Sequence, residues 1–139
     1  KPVNKFTVLR LEPANLSLKV GQSGTINLAM QTGKNVVSGI EFTLNFDPTK
    51  LEIVSVAPAD FFANPTVLAN VLDNKKGVLS YAIGSLAPKS GSDNVLTLVV
   101  RGKAWGTSGV NFDRETKVAA QGELQNVLKE VVATKVEVQ

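Results

Sequence analysis

Between Ser38 and Phe46 the chain alternates without a break. Ile40, Phe42, Leu44 and Phe46 fall at every second position, and Gly39, Glu41, Thr43 and Asn45 fill the places between. Side chains of an extended strand point alternately to the two sides, so this pattern predicts a strand with one face in a core and one in water. A helix would scatter the same apolar residues around its circumference. Asp47-Pro48 ends the run, because proline cannot donate to the ladder and aspartate bonds readily to its own backbone.

The same grammar recurs along the chain. Short strands are predicted over 6–11, 16–20, 25–30, 51–56, 67–72, 78–84, 94–104, 110–112 and 131–138, with 94–104 the longest. They are separated by Gly, Pro, Asn and Asp clusters such as Gly21-Gln22-Ser23-Gly24 and Asp73-Asn74-Lys75-Lys76-Gly77. The stretch 58–65 reads as a loop with Phe61 and Phe62 tucked beneath it, and 87–93 as a second long loop. Residues 122–128 are compatible with one helical turn. Many short strands with no sustained helical period predict an all-β sandwich or jelly roll. No linker or internal repeat divides it, so residues 1–139 read as a single domain.

Composition narrows the chemistry. The 139 residues are 43% hydrophobic and 19% charged, enough to build a two-layer core. Cysteine and histidine are both absent, which removes Ser-His-Asp and Cys-His nucleophiles, the usual zinc ligand sets and any disulfide staple. Glu52 and Asp60 lie near Asp47 in sequence, but nothing places two carboxylates across a pocket, so no enzyme activity is expected. A net charge of +3 with scattered lysines gives no nucleic-acid signature. No apolar run reaches the length of a membrane span. The start at Lys1-Pro2-Val3 has the look of an excised module.

Several segments in order resemble the cohesin family. Leu18-Lys19-Val20-Gly21-Gln22 precedes a short strand. Gly39 through Asp47-Pro48 and on to Leu51-Glu52-Ile53-Val54-Ser55-Val56 follows the family's alternating strand, its aromatic-Asp-Pro break and the strand beyond. Gly77 to Ile83 and Val95 to Val100 fit the sixth and seventh strands. The resemblance implies a nine-stranded jelly-roll β-sandwich whose strands eight, three, six and five receive a dockerin, a small calcium-loaded helical module. The sparse aromatics place it nearer the non-cellulosomal bacterial and archaeal members.

What the resemblance implies for single residues follows from alignment on Asp47-Pro48. Gly39, Glu41, Thr43 and Asn45 become partner contacts on the third strand. Gly39 stands where cellulosomal cohesins often carry asparagine, and Glu41 where they often carry aspartate. On the sixth strand the same alignment turns Leu79, Tyr81 and Ile83 outward as an apolar stripe, although a slip of one residue would carry them into the core. Leu68 and Asn70 on the fifth strand join the set with the same ambiguity. The expected function is a non-catalytic protein-binding module, monomeric alone, outside the cell or in its envelope as part of a larger exported protein. It would need no cofactor or metal of its own, since the chain has no EF-hand-like loop and calcium would belong to the dockerin. One alternative is a carbohydrate-binding module, which would stack sugars on several planar aromatics, whereas the lone Trp105 and Tyr81 lie in different elements and Trp105 is expected to pack at a sandwich edge. The other is a passive structural or adhesin spacer in a surface or secretion-system protein.

Overall fold

A computed structural model describes residues 3–139. Twelve strands form and no helix does among them: β1 (Thr7–Glu12), β2 (Asn15–Leu18), β3 (Ser23–Gln31), β4 (Val37–Phe46), β5 (Leu51–Pro58), β6 (Thr66–Asp73), β7 (Val78–Lys89), β8 (Ser92–Gly102), β9 (Gly106–Phe112), β10 (Lys117–Ala120), β11 (Leu128–Val132) and β12 (Thr134–Val138). One sheet has the order β11-β1-β3-β8-β5. The other runs β2-β12-β9-β4-β7-β6, with β10 also paired to β4.

Twelve segments are nine strands, three of them broken. β1 and β2 are separated only by Pro13 and Ala14, and β11 and β12 only by Ala133. At these breaks both pairs cross from one sheet to the other, running parallel to each other throughout. β9 and β10 both lie against β4, β9 along its C-terminal part and β10 along its N-terminal part. The third, fifth, sixth and eighth strands of that count are therefore β4, β6, β7 and β9/β10, and they are neighbours.

The alternation in the sequence explains the packing. Ile40, Phe42, Leu44 and Phe46 point inward from β4 and meet Leu9, Leu11, Ile26, Leu28, Leu98 and Val100 of the facing sheet, as two inner faces interdigitating. Phe61 and Phe62 are buried in the loop after β5, ring edge to ring face, with Lys89 Nζ donating to the Phe61 carbonyl at 3.0 Å. Burial of an aromatic side chain contributes about 2–3 kcal/mol, so these two residues anchor the loop together with Ala59 N and Phe61 N, which donate to Val95 O and Asn94 O of β8 at 2.8 and 2.9 Å.

Three local expectations fail. β7 continues through Pro88 to Lys89 and β8 starts at Ser92, leaving only Ser90-Gly91 as the turn, so 87–93 is not a long loop and β7 is the longest strand. Residues 122–128 form no helical turn. Asn126 clasps the segment instead, accepting from Val118 N at 2.9 Å and Leu128 N at 3.0 Å and donating to Thr116 O at 3.0 Å. A side-chain amide that satisfies three backbone groups competes directly with helix formation.

Candidate partner-binding face

The outer surface of β10-β4-β7-β6 follows from the register of β4 with its neighbours. Directly opposed residues of an antiparallel pair share a face. Glu41 is opposed by Ala82 on β7 and Lys117 on β10, Thr43 by Ser80, and Asn45 by Asn111 on β9. Glu41, Thr43 and Asn45 thus point outward, as their alternation predicts. Gly39 is opposed by Gly84 and Ala119. Thr43 Oγ1 and Ser80 Oγ lie 3.1 Å apart, a polar pair at the centre of the face.

The register also corrects the sixth-strand assignment. Ile83 opposes Ile40, Tyr81 opposes Phe42 and Leu79 opposes Leu44, and all three β4 residues are core residues. Leu79, Tyr81 and Ile83 are accordingly 0%, 1% and 1% exposed. They cannot touch a partner. Tyr81 stacks on Phe42 with centroids 5.8 Å apart, and Phe42 meets Phe112 edge-on at 6.1 Å. Burial pushes the Tyr81 phenol above its ordinary pKa. The outward residues of β7 are Ser80, Ala82 and Gly84, which the alignment put one position out of register.

On β6 the two expected contacts part company. The β6–β7 register shifts between Val67 and Ala69, leaving Leu68 as the extra residue of a bulge. A bulge interrupts the strict alternation of sides. Leu68 reaches the outer face and is 74% exposed. Asn70, opposite Tyr81, takes the core side of the edge strand, where the sheet has ended and water reaches it. It is off the face that carries Glu41.

The centre of the face is bare of long side chains. A depression of about 380 Å³ has Gly39, Gly84, Ala82 and Ala119 in its lining and Leu68, Glu41 and Lys117 around them. Beyond β10, Leu124 stands fully exposed over a second hollow shared with Lys117 and Ala119. The glycines are held by close backbone approach. A Cβ on Gly84 would lie 2.8 Å from the Ser38 carbonyl oxygen, and one on Gly39 3.1 Å from that of Ile83. From β6 to β10 is three strand spacings, about 14 Å, while a helix with its side chains is about 10–12 Å across. The floor is wide enough to seat one helix between Leu68 and Leu124.

Sequence reasoning missed Ser80, Ala82, Gly84, Lys117 and Ala119. For β7 a signal was available, because the large residues of an alternating strand default to the core side. For β10 there was little, because a four-residue strand carries almost no periodicity.

The outer surface of the other sheet holds a depression of similar volume, lined by Arg10, Glu12, Gln31, Asp93 and Asn94 among others and by no aromatic ring. Trp105, expected to pack at a sandwich edge, is 77% exposed on the turn between β8 and β9. Neither sheet face thus offers a row of flat rings for sugar stacking, and Tyr81 is internal.

A jelly-roll sandwich with one sheet face cleared to a floor of small residues has the form of a protein-interaction module. The chain belongs to the cohesin domain family, whose pattern it matches over residues 11–138. Solved structures agree in fold. The complex of an OlpC cohesin with dockerin Doc435 from Clostridium thermocellum superposes with a TM-score of 0.81 at 15% identity, covering 100% of this chain and 97% of that one. The third ScaC cohesin of Acetivibrio cellulolyticus, solved with the ScaB dockerin, gives 0.80 at 15% identity over 96% and 99%. A non-cellulosomal cohesin from the archaeon Archaeoglobus fulgidus gives 0.76 at 12% identity over 96% and 91%. No curated protein matches the chain by sequence.

Proposed function

We propose that this domain binds a dockerin-type helical module on the outer face of β10-β4-β7-β6 and performs no chemistry of its own. The observation that carries the reading is the cleared floor of Gly39, Ala82, Gly84 and Ala119 between exposed Leu68 and Leu124. Sheet surfaces in water ordinarily wear long polar side chains. A floor without them lets a helix approach the backbone, and two flanking leucines supply apolar contact with little ordering cost on a rigid sheet. Glu41 and Lys117 oppose each other across the β4–β10 pair yet form no ion pair among the described residues. Both remain available to a partner and set the direction in which it lies.

Gly39 changes the chemistry expected of that partner. Where asparagine would offer an amide, this chain offers open space, so the partner should present a bulky aliphatic side chain. Calcium, on this reading, resides in the partner. The domain acts as a monomer within an exported, surface-attached protein.

Isothermal titration with a panel of calcium-loaded dockerins tests the reading. Saturable binding that disappears on chelation and on Ala82→Leu supports it. Absence of binding across the panel, or binding indifferent to Ala82→Leu, Ala119→Leu and Glu41→Lys alike, sinks it.

A further inference from the structure

The turns of the sandwich collect at two ends, and the ends differ in charge. One end gathers the turns 19–22, 47–50, 74–77 and 103–105, together with Gln139. They are tied into one surface. Gly21 N donates to Gly102 O at 2.8 Å, Lys103 N to Lys50 O at 2.7 Å, Phe46 N to Gly77 O at 2.9 Å and Val20 N to Gln139 O at 3.2 Å. Lys103 Nζ is fixed on the Pro48 carbonyl at 2.7 Å.

This end carries Lys19, Lys50, Lys75, Lys76 and Lys103 against two carboxylates, Asp47 and Asp73. Both acids are turned into their own turns. Asp47 accepts from Thr49 N at 2.9 Å and Thr49 Oγ1 at 2.6 Å, and Asp73 from Lys75 N at 2.9 Å and Lys76 N at 3.0 Å. Five of the fifteen basic residues and two of the twelve acidic ones thus lie here, leaving ten of each in the rest of the sequence. The whole formal net charge of the chain is that of this one end. The opposite end carries Lys5 and Lys34 with Asp60 and Glu123 in its loops, while the turn 113–116 lies beside the middle of β4, where Asp113 N donates to Thr43 O at 2.7 Å.

The most exposed aromatic ring projects from the same basic end. Trp105 follows Lys103 in the turn, with the Lys50 chain alongside, since a Cβ on Gly106 would lie 2.6 Å from Lys50 Cε. The turn is held by backbone and lysine hydrogen bonds and needs nothing from the indole. The ring makes no aromatic or cation–π pair among the described residues. Val20, half-exposed on the adjoining turn, adds a second apolar projection.

We infer that this end adsorbs to an anionic lipid surface. Tryptophan favours the boundary between headgroups and hydrocarbon, and clustered lysines are drawn to acidic leaflets. The combination of one apolar element with a basic patch is what reversible adsorption requires. Shape favours a surface over a single polymer strand, because Trp105 and the lysines project from turns rather than lining a cleft. The inference is independent of what the sheet face binds. The strands run from end to end, so a domain resting on this end holds its β10-β4-β7-β6 face side-on to the membrane and open.

Trp105 is the sole tryptophan and reports directly. Phosphatidylcholine vesicles with and without phosphatidylglycerol are titrated into the chain, with fluorescence and co-sedimentation as readouts. The expected result is a blue shift and sedimentation with the acidic vesicles alone, fading as salt rises. Lys75→Glu with Lys76→Glu should weaken partitioning on the order of tenfold or more, and Trp105→Ser should reduce sedimentation severalfold. Lys5→Glu with Lys34→Glu, the same charge change at the opposite end, should leave it within about twofold. No shift with acidic vesicles, or equal loss with the control pair, overturns the inference. So does retention on soluble polygalacturonate without vesicle binding, which would reassign the end to an acidic glycan.

Discussion

The two outer faces of this sandwich are made by the same kind of strand and look nothing alike. The five-stranded sheet wears Arg10, Glu12, Asn27, Gln31, Thr97 and Arg101. Thr97 Oγ1 bonds Asn27 Oδ1 at 3.0 Å across β3 and β8, and Arg101 pairs with Glu52 across β8 and β5. That is a surface satisfied by its own side chains and by water. The seven-stranded sheet is cleared over Gly39, Ala82, Gly84 and Ala119, with Glu41, Lys117 and the Thr43–Ser80 pair beside that floor and Leu68, Val71 and Leu124 standing exposed around it. A solvated face and a docking face are thus distinguished by side-chain length over the central strands, not by net hydrophobicity. Matched substitutions on the two faces test that distinction.

The largest effect lies just behind the docking face. Tyr81→Ala removes a fully buried ring stacked on Phe42 and should cost about 3–5 kcal/mol of stability, read as a lowered urea midpoint with unchanged slope. If Tyr81→Ala left the midpoint alone and weakened only partner binding, the register of β7 would be wrong and the comparison would fall. Next come two alanines, one in each depression. Ala82→Leu should weaken dockerin binding by about thirtyfold or more, a steric loss of about 2 kcal/mol, while Ala29→Leu on the solvated face changes it less than about twofold. Both should stay within about 0.5 kcal/mol of wild-type stability. Charge reversal gives a smaller contrast. Glu41→Lys is expected to cost about tenfold in affinity, with an effect that shrinks at high salt, and Glu12→Lys almost nothing.

How much of this was legible in advance depends on the strand. β4 announced itself, because an unbroken alternation between Ser38 and Phe46 bounded by Asp47-Pro48 leaves one reading, and its outward set of Glu41, Thr43 and Asn45 stands. β7 was legible as a strand but not in facing. Alignment to a family pattern turned Leu79, Tyr81 and Ile83 out, whereas the sizes of Ser80, Ala82 and Gly84 argued for the opposite assignment. The bulge at Leu68 was invisible, since an extra residue leaves no mark in a run that is apolar from Val67 to Leu72 except for Asn70. Also hidden were the polar clasps. Asn74 bonds both N and O of Ile53 at 2.9 Å, and Asn35 receives Phe6 N at 3.0 Å and Thr7 Oγ1 at 2.9 Å. Such contacts join residues more than twenty apart, and nothing in local spacing pairs them. The fold could therefore be read from periodicity, while the docking floor, made by what four strands lack, required the register.

The finest test uses the one feature the two faces share. Each has a cross-strand side-chain hydrogen bond made by a threonine hydroxyl, at nearly the same length, Thr43 with the Ser80 hydroxyl on the cleared face and Thr97 to the Asn27 amide oxygen on the solvated one. Both threonines are β-branched and half-buried, so replacement by valine keeps shape and strand preference and removes only the hydroxyl. Each loss should lower stability by a similar small amount, about 0.5–1 kcal/mol. Binding should separate them. On the solvated face the hydroxyl serves the sheet alone, and Thr97→Val should leave partner affinity where it was. On the cleared face, Thr43 and Ser80 are the polar groups a helix meets after the leucines have placed it. Thr43→Val should then weaken affinity by about two- to fivefold beyond any change in stability. Equal affinities for the two variants would mean that the partner does not cross the centre of the floor, and would shift the docking position toward Leu124 and β10.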